Sequence, residues 1–377
     1  MKKLKNLTII FSITLVASFF GIIAYASTNH ISTVGYFGFN PFYSNNNNND
    51  NTTKDNDDYD WLYNLPFIPN QVKGIIEDSI DESIHDSNIT DFDHEIYDKT
   101  GDTIVDNFNC QDLEKISINT DAARIVFKQE DRKDIKVKYI YTKPQTNNYS
   151  INYNTDVSNN TLDITQRIIT KNFFGSMNTS NFKNDITIYV PNDFELDNLY
   201  INNNLGEINN SEFFSDVKNI NLTSSLGKIN ITLANSKESV ILNSSMGEIN
   251  YYNNADVDKL KISTSGGFIY MESNNTINDC TASTDMGSIN IVSNGKINNC
   301  DLDSDLGAIT ASFKQTIDSF NISSDLGSIE IELYDNDNSV ISTNVSMGSI
   351  KSDLPTTSKK SNYNVDCDMG DITIRKK

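Results

Sequence analysis

Asn203-Asn204-Leu205-Gly206-Glu207-Ile208, Ser224-Ser225-Leu226-Gly227-Lys228-Ile229 and Ser244-Ser245-Met246-Gly247-Glu248-Ile249 are three copies of one phrase. It returns as Thr264-Ser265-Gly266-Gly267-Phe268-Ile269 and Thr284-Asp285-Met286-Gly287-Ser288-Ile289, and again around Gly307, Gly327, Gly348 and Gly370. Successive glycines lie 21, 20, 20, 20, 20, 20, 21 and 22 residues apart. A fixed period of this size marks a solenoid, whose repeats bury their apolar faces only against one another.

Aligned on the glycine, the copies separate into columns. The residue seven places before it is Leu199, Ile220, Val240, Leu260, Cys280, Cys300, Phe320, Ile341 or Tyr363. Five places before stand Ile201, Leu222, Leu242, Ile262, Ala282, Leu302, Ile322, Thr343 and Val365. Two places after it is always isoleucine, from Ile208 to Ile372. Polar residues fill the places between, so apolar and polar alternate with period two, the pattern of strands with one buried face. Two strands per coil, joined at the glycine and stacked in parallel, make a parallel β-solenoid with coils of about 20 residues. The glycine itself suits a tight turn with positive φ, where only glycine is unstrained. Ser or Asp at the first turn position is expected to cap a backbone N–H, and the Leu or Met that follows to plug the bend from inside.

Residues 113–200 alternate without the glycine. Ile116, Ile118, Ile125 and Phe127 stand around Ala123 as core residues stand around the later glycines. Ile135-Val137-Tyr139, Leu162-Ile164 and Ile186-Ile188-Val190 read as further strands of more irregular initial coils, with Arg167 to Lys183 as a loop. At the far end, Arg375-Lys376-Lys377 is all that follows the last apolar pair, so charge alone is expected to cap the final coil.

The start of the chain is of another kind. Met1-Lys2-Lys3-Leu4-Lys5 precedes an apolar run, Leu7 to Ile23, and Ala24-Tyr25-Ala26 then offers a small-x-small cleavage site. Residues 1–26 are therefore a signal-anchor or a cleaved signal peptide, and both readings stand. Lysines ahead of the run keep the N-terminus cytoplasmic and place the rest outside, either on a single-pass anchor or secreted after Ala26. Residues 27–68 form an Asn/Asp-rich flexible linker with the tract Asn45 to Asn49. In residues 69–100, Val72, Ile75, Ile76, Ile80 and Ile84 fall at helical spacing opposite Glu77, Asp78, Asp81 and Glu82. This amphipathic helix is expected to cap the N-terminal end of the solenoid domain, residues 101–377.

An N-terminal membrane segment followed by coils of the form I-x-I-x-[ST]-[SD]-x-G-x-I-x-I resembles the bacterial "putative adhesin" family of unknown function that includes LiaG-like proteins. The resemblance covers residues 113–377. It implies a right-handed parallel β-solenoid on the outer face of the cytoplasmic membrane and an association with envelope-stress or regulatory operons. It supplies no catalytic residue to carry over. The Asn-rich spacer and the helix near residues 70–85 depart from the family pattern.

Candidate sites are few. With 30 Lys and Arg against 51 Asp and Glu, the net charge of −21 argues against nucleic acid. The abundant asparagine reads as compositional bias. All three histidines, His30, His85 and His94, lie outside the repeats, and the cluster His85, Asp86, Asp91, Asp93, His94 matches no standard metal spacing. Asp285, Asp305, Asp325 and Asp368 stack along one turn edge, where calcium would relieve their repulsion and turn capping explains them equally well. Cys280 and Cys300 share an inward column close enough for a disulfide, but apolar residues fill that column elsewhere, so two buried thiols are expected. Cys110 and Cys367 lie too far apart in coil order to pair. Phe268 and Tyr270, with Tyr252 one coil earlier, interrupt polar outward columns and form a candidate partner-binding patch.

No catalytic, cofactor or metal residue is therefore assigned. The sequence points to a non-enzymatic extracytoplasmic envelope protein, an adhesin or envelope-stress accessory that binds an envelope protein or glycan through its outer surface. A structural spacer and a polysaccharide-acting β-helix enzyme are the alternatives. The enzyme would need acids joined to Arg or Lys on one sheet, and Arg124, Arg132, Arg167 and Arg375 lie away from the regular coils.

Overall fold

The computed structural model describes residues 102–142, 149–170, 184–210, 217–334, 340–359 and 361–377. The expected leader, linker and amphipathic helix (1–26, 27–68 and 69–100) and the histidine cluster lie outside the described residues. Among the described residues every regular element is a β-strand, and no helix is long and apolar enough to cross a membrane.

The Gly287 coil shows how a repeat is built. Strand Ile277–Met286 turns at the glycine into strand Ile289–Ser293, and a short corner leads to Ile297 of the next coil. Ile277, Cys280, Ala282, Thr284, Ile289, Ile291 and Ser293 point inward and are buried. Asn278 and Asp279 are exposed in succession, so the strand bends between Ile277 and Cys280. Each coil places its two strands in two 13-stranded sheets. Pairing is parallel and in register at the invariant column, Ile229 on Ile249, then Ile269, Ile289, Ile309 and Ile329. Fully burying such a side chain contributes about 1.5–3 kcal/mol.

The turn departs from expectation in three ways. First, φ is positive only at Gly206, Gly348 and Gly370 among the turn glycines. At the others the requirement is contact. A Cβ on Gly307 would lie 1.7 Å from the carbonyl oxygen of Gly287, and one on Gly287 1.8 Å from that of Gly267. The backbones approach because the turn is itself part of the hydrogen-bonded stack. Gly307 N–H donates to Leu326 O at 2.9 Å, and Gly287 N–H to Leu306 O at 3.0 Å. Second, the capping side chain is buried one residue earlier than expected. Ser304 and Ser324 donate to the carbonyls of Gly287 and Gly307 at 3.1 and 3.2 Å, while Asp285, Asp305 and Asp325 face out. Third, the glycine backbone and that hydroxyl fill the corner, so the Leu or Met between them turns outward. Leu326 is 40% exposed and Met347 61%.

Coil order in space differs from coil order in sequence at both ends. The last strands, Tyr363–Met369 and Ile372–Lys376, insert between the Gly327 and Gly348 coils. The Gly370 coil brings Tyr363, Val365, Cys367, Ile372 and Ile374 to the inward columns, whereas the Gly348 coil brings Ile341, Thr343, Val345, Ile350 and Ser352. An end coil leaves part of its core face uncovered, so the more polar coil takes the end: the two-residue strand Thr356–Thr357 pairs beyond it in one sheet, and in the other Ile350 remains exposed. Arg375 and Lys377 therefore do not cap the end as expected. They pair with Glu330 and Glu332 on the neighbouring strand, Lys377 at 2.6 Å from Glu332.

At the other end, strands Lys115–Thr120 and Arg124–Glu130 lie directly against the Gly206 coil, with Ile116, Ile118, Ile125 and Phe127 buried as expected. Thr161–Thr170 and Asn184–Pro191 extend the parallel pairing by one layer, and beyond them the pairing turns antiparallel. Strand Tyr149–Ser158 pairs with Thr161–Thr170, and Asp134–Tyr141 pairs with both Asn184–Pro191 and Asp102–Asn109. Arg167 belongs to a strand rather than to the expected loop. Among the described residues, Asp102–Asn109 and Tyr149–Ser158 are the outermost strands of the two sheets at this end.

Gly307→Ala is expected to lower stability by about 1–3 kcal/mol in urea unfolding, because the added methyl meets rigid backbone. Gly307→Asn should be no better. Gly266→Ala, whose new Cβ meets nothing nearer than 3.6 Å, should stay within about 0.5 kcal/mol of wild type. Equal effects at the two positions would remove the contact explanation.

Candidate functional site

The strand Ile269–Ser273 and its neighbour Ile249–Asn253 carry the aromatic patch. Register sets Asn250 beside Tyr270 and Tyr252 beside Glu272, so Tyr252 and Tyr270 meet on the diagonal, with ring centroids 5.6 Å apart. Phe268 stands two residues before Tyr270 on the same side, while Ile269 and Tyr251 point into the core and are fully buried. Phe268 is 37% exposed and Tyr252 36%. Tyr270 is half-buried and its hydroxyl donates to Glu272 Oε2 at 3.2 Å. Burial first, then the Glu272 carboxylate, holds the Tyr270 hydroxyl above its ordinary pKa, so it remains a donor. The structure thus brings the three expected residues together and faces them outward, beside a carboxylate that the sequence reading did not include. Aromatic faces next to a fixed acceptor can cover an apolar surface and orient a hydroxyl or amide at once.

A second feature was not foreseen. The outward Leu and Met side chains form a ridge along the turn edge, running Leu205, Leu226 and Met246, then a gap at Gly266, then Met286, Leu306, Leu326, Met369 and Met347. The column was visible in the sequence, but alternation alone places it inside. Beside it run Asp285, Asp305, Asp325 and Asp368 in four adjacent coils. Burial, followed by the charges of Asp325, Asp285 and Asp303, raises the Asp305 carboxyl above its ordinary range. Among the described residues no group of three or more His, Cys, Asp or Glu converges to hold a metal ion.

Cys280 and Cys300 sit in register on adjacent strands, buried and as free thiols. Hydrogen bonding with Cys280, then burial, pushes the Cys300 thiol well up, which makes it a poor nucleophile. Cys367 takes the place of the buried turn hydroxyl, its Sγ donating to Gly327 O at 3.1 Å. Cys110 donates to Lys133 O at 3.2 Å.

Asp305 also yields a pH test. A carboxyl whose folded pKa is raised contributes stability that is present at low pH and lost as pH rises through the raised value. Asp305→Asn should therefore melt higher than wild type at pH 7, with the difference closing near pH ~3, below the ordinary aspartate value. Parallel melting curves across this range check it. An unchanged or lowered melting temperature at pH 7 would show that the row is not repulsive.

Comparison with known proteins adds the lineage. A solved "putative adhesin" from Bacteroides fragilis NCTC 9343 has 16% identity to this chain, covering 73% of it and 97% of its own length, with a TM-score of 0.37. A "putative adhesin" from Parabacteroides merdae ATCC 43184 has 12% identity, covering 73% and 96%, with a TM-score of 0.34. A "putative lipid binding protein" from Parabacteroides distasonis ATCC 8503 has 16% identity, covering 74% and 98%, with a TM-score of 0.44. No curated protein matches the chain. The family model described as Toastrack DUF4097 matches residues 113–375, from the first inward-facing strand through the last coil, and the chain belongs to that family.

Proposed function

We propose that the protein is a non-enzymatic extracytoplasmic module of the cell envelope, adhesin-like in character, which holds a partner against the outer face of its solenoid. The observation that carries this reading is the aromatic patch. In the columns flanking the invariant isoleucine, the neighbouring coils place Lys228, Glu248 and Ser288 at one position and Asn230, Asn250 and Asn290 at the other. Phe268 and Tyr270 stand there together, with Tyr252 against Tyr270, at a cost in exposed apolar area that folding does not require. An envelope protein or a glycan that covers these rings would recover about 1–2 kcal/mol for each. The right-handed winding typical of parallel crossovers goes with this reading. So does tethering through residues 7–23, or secretion after Ala26.

Phe268→Ser with Tyr270→Asn is expected to leave the melting temperature close to wild type and to weaken binding to isolated cell envelopes. Retained binding would return the patch to ordinary surface, and unfolding would mean that the rings support the core. For location, protease added to intact, wall-stripped cells should digest the solenoid without lysis. Protection until lysis would place it inside the cell.

A further inference from the structure

The turn edge between the two sheets carries a second interaction surface. From Met286 to Met347, five adjacent coils each present one Leu or Met outward, and Leu326 and Met369 are each 40% exposed. One residue earlier in each coil stand Asp285, Asp305, Asp325, Asp368 and Ser346. Sequence order would interrupt the carboxylates, because Ser346 falls between Asp325 and Asp368. The inserted final coil removes the interruption. Leu326 pairs with Met369 and Met369 with Met347, so four aspartates run consecutively and the serine ends the row.

We propose that this edge docks a cationic amphipathic helix of a partner protein, with the helix laid along the stack of coils. Its aliphatic side would rest on the Leu and Met ridge while its Lys or Arg side chains lie over the aspartates. Geometry supports a helix. Its pitch of about 5.4 Å differs from a strand spacing of about 4.8 Å by roughly 0.6 Å, so one turn meets one coil and the drift over five coils stays near 2.4 Å. Flexible methionines at both ends of the ridge absorb a drift of that size. Charge selects the occupant. A second copy of the chain would set two aspartate rows against each other, and an anionic membrane surface carries the same sign. The chain's own amphipathic segment near residues 70–85 presents Glu77, Asp78, Asp81 and Glu82, again the wrong sign. The raised Asp305 carboxyl agrees with a row whose repulsion a cation would relieve. The site is bounded, since Gly266 breaks the ridge and Leu205, Leu226 and Met246 beyond it lie beside Asn204, Ser225 and Ser245.

The test uses the full chain in zwitterionic nanodiscs, with empty discs as the blank. The probe is a Leu/Lys amphipathic helical peptide of about 18 residues, five turns, carrying a photoreactive leucine at mid-face. A scrambled peptide of the same composition is the comparison. The expected cross-links fall on the Met286 to Met347 edge. Asp305→Asn with Asp325→Asn should weaken binding about fivefold or more, as loss of two exposed ion pairs would. Leu326→Ser with Met369→Ser should weaken it similarly, and Met246→Ser should not. Added salt should weaken the interaction. Equal binding of the scrambled peptide would reduce the effect to the net charge of −21 and overturn the proposal. So would cross-links elsewhere, aspartate variants that bind as wild type, or an edge that gives no cross-link because the chain's own residues cover it.

Discussion

Everything in this solenoid hangs on backbone meeting backbone at the turn. Gly206, Gly287, Gly307, Gly327 and Gly370 donate their N–H to the next coil, and the α-carbon of every turn glycine sits over a carbonyl of the coil before, too close for a side chain. From Gly247 to Gly327 a hydroxyl or thiol from the following coil approaches the glycine carbonyl in that corner. With the corner filled by main chain and one small polar group, the coils stack at strand spacing and the isoleucine columns close over one another. The Leu and Met ridge follows from the same constraint, because the residue that the corner cannot hold is pushed outside.

The ends obey a different balance. A coil in mid-stack has neighbours on both faces and repays apolar inward residues, while an end coil has one. Exchange of the Gly348 and Gly370 coils puts Ile372 and Ile374 under cover and leaves Ile350 exposed. It also brings Arg375 and Lys377 beside Glu330 and Glu332, a surface arrangement that adds direction more than stability. At the opposite end, antiparallel strands replace parallel coils and so end the parallel stack.

Two outward surfaces result, and they differ in chemistry. The Tyr252, Phe268 and Tyr270 patch lies on a sheet face and couples aromatic area to one carboxylate. The turn edge is long, aliphatic and acidic. Asparagine links the remaining surface: Asn294 donates to Asn274 at 2.6 Å and Asn274 to Asn254 at 2.7 Å, so the side chains form ladders coil on coil. What composition suggested was mere bias is in part a structural device.

The period, the strand columns, the inward place of Cys280 and Cys300 and the outward place of Phe268 and Tyr270 were all legible in the sequence. They depend on local alternation, which any extended strand imposes on its side chains. What alternation cannot carry through is a turn. The sequence therefore misplaced Leu306 and Leu326, assigned positive φ to Gly307, and took Ser or Asp beside them as the cap when the buried hydroxyl stood one residue earlier. Nor can a repeat report its neighbour. Asp368 follows Ser346 in the chain but adjoins Asp325 in space, because coil order is decided by which inward set, Ile372 with Ile374 or Ile350 with Ser352, gains more from cover on both faces. That comparison exists only once the whole stack has formed.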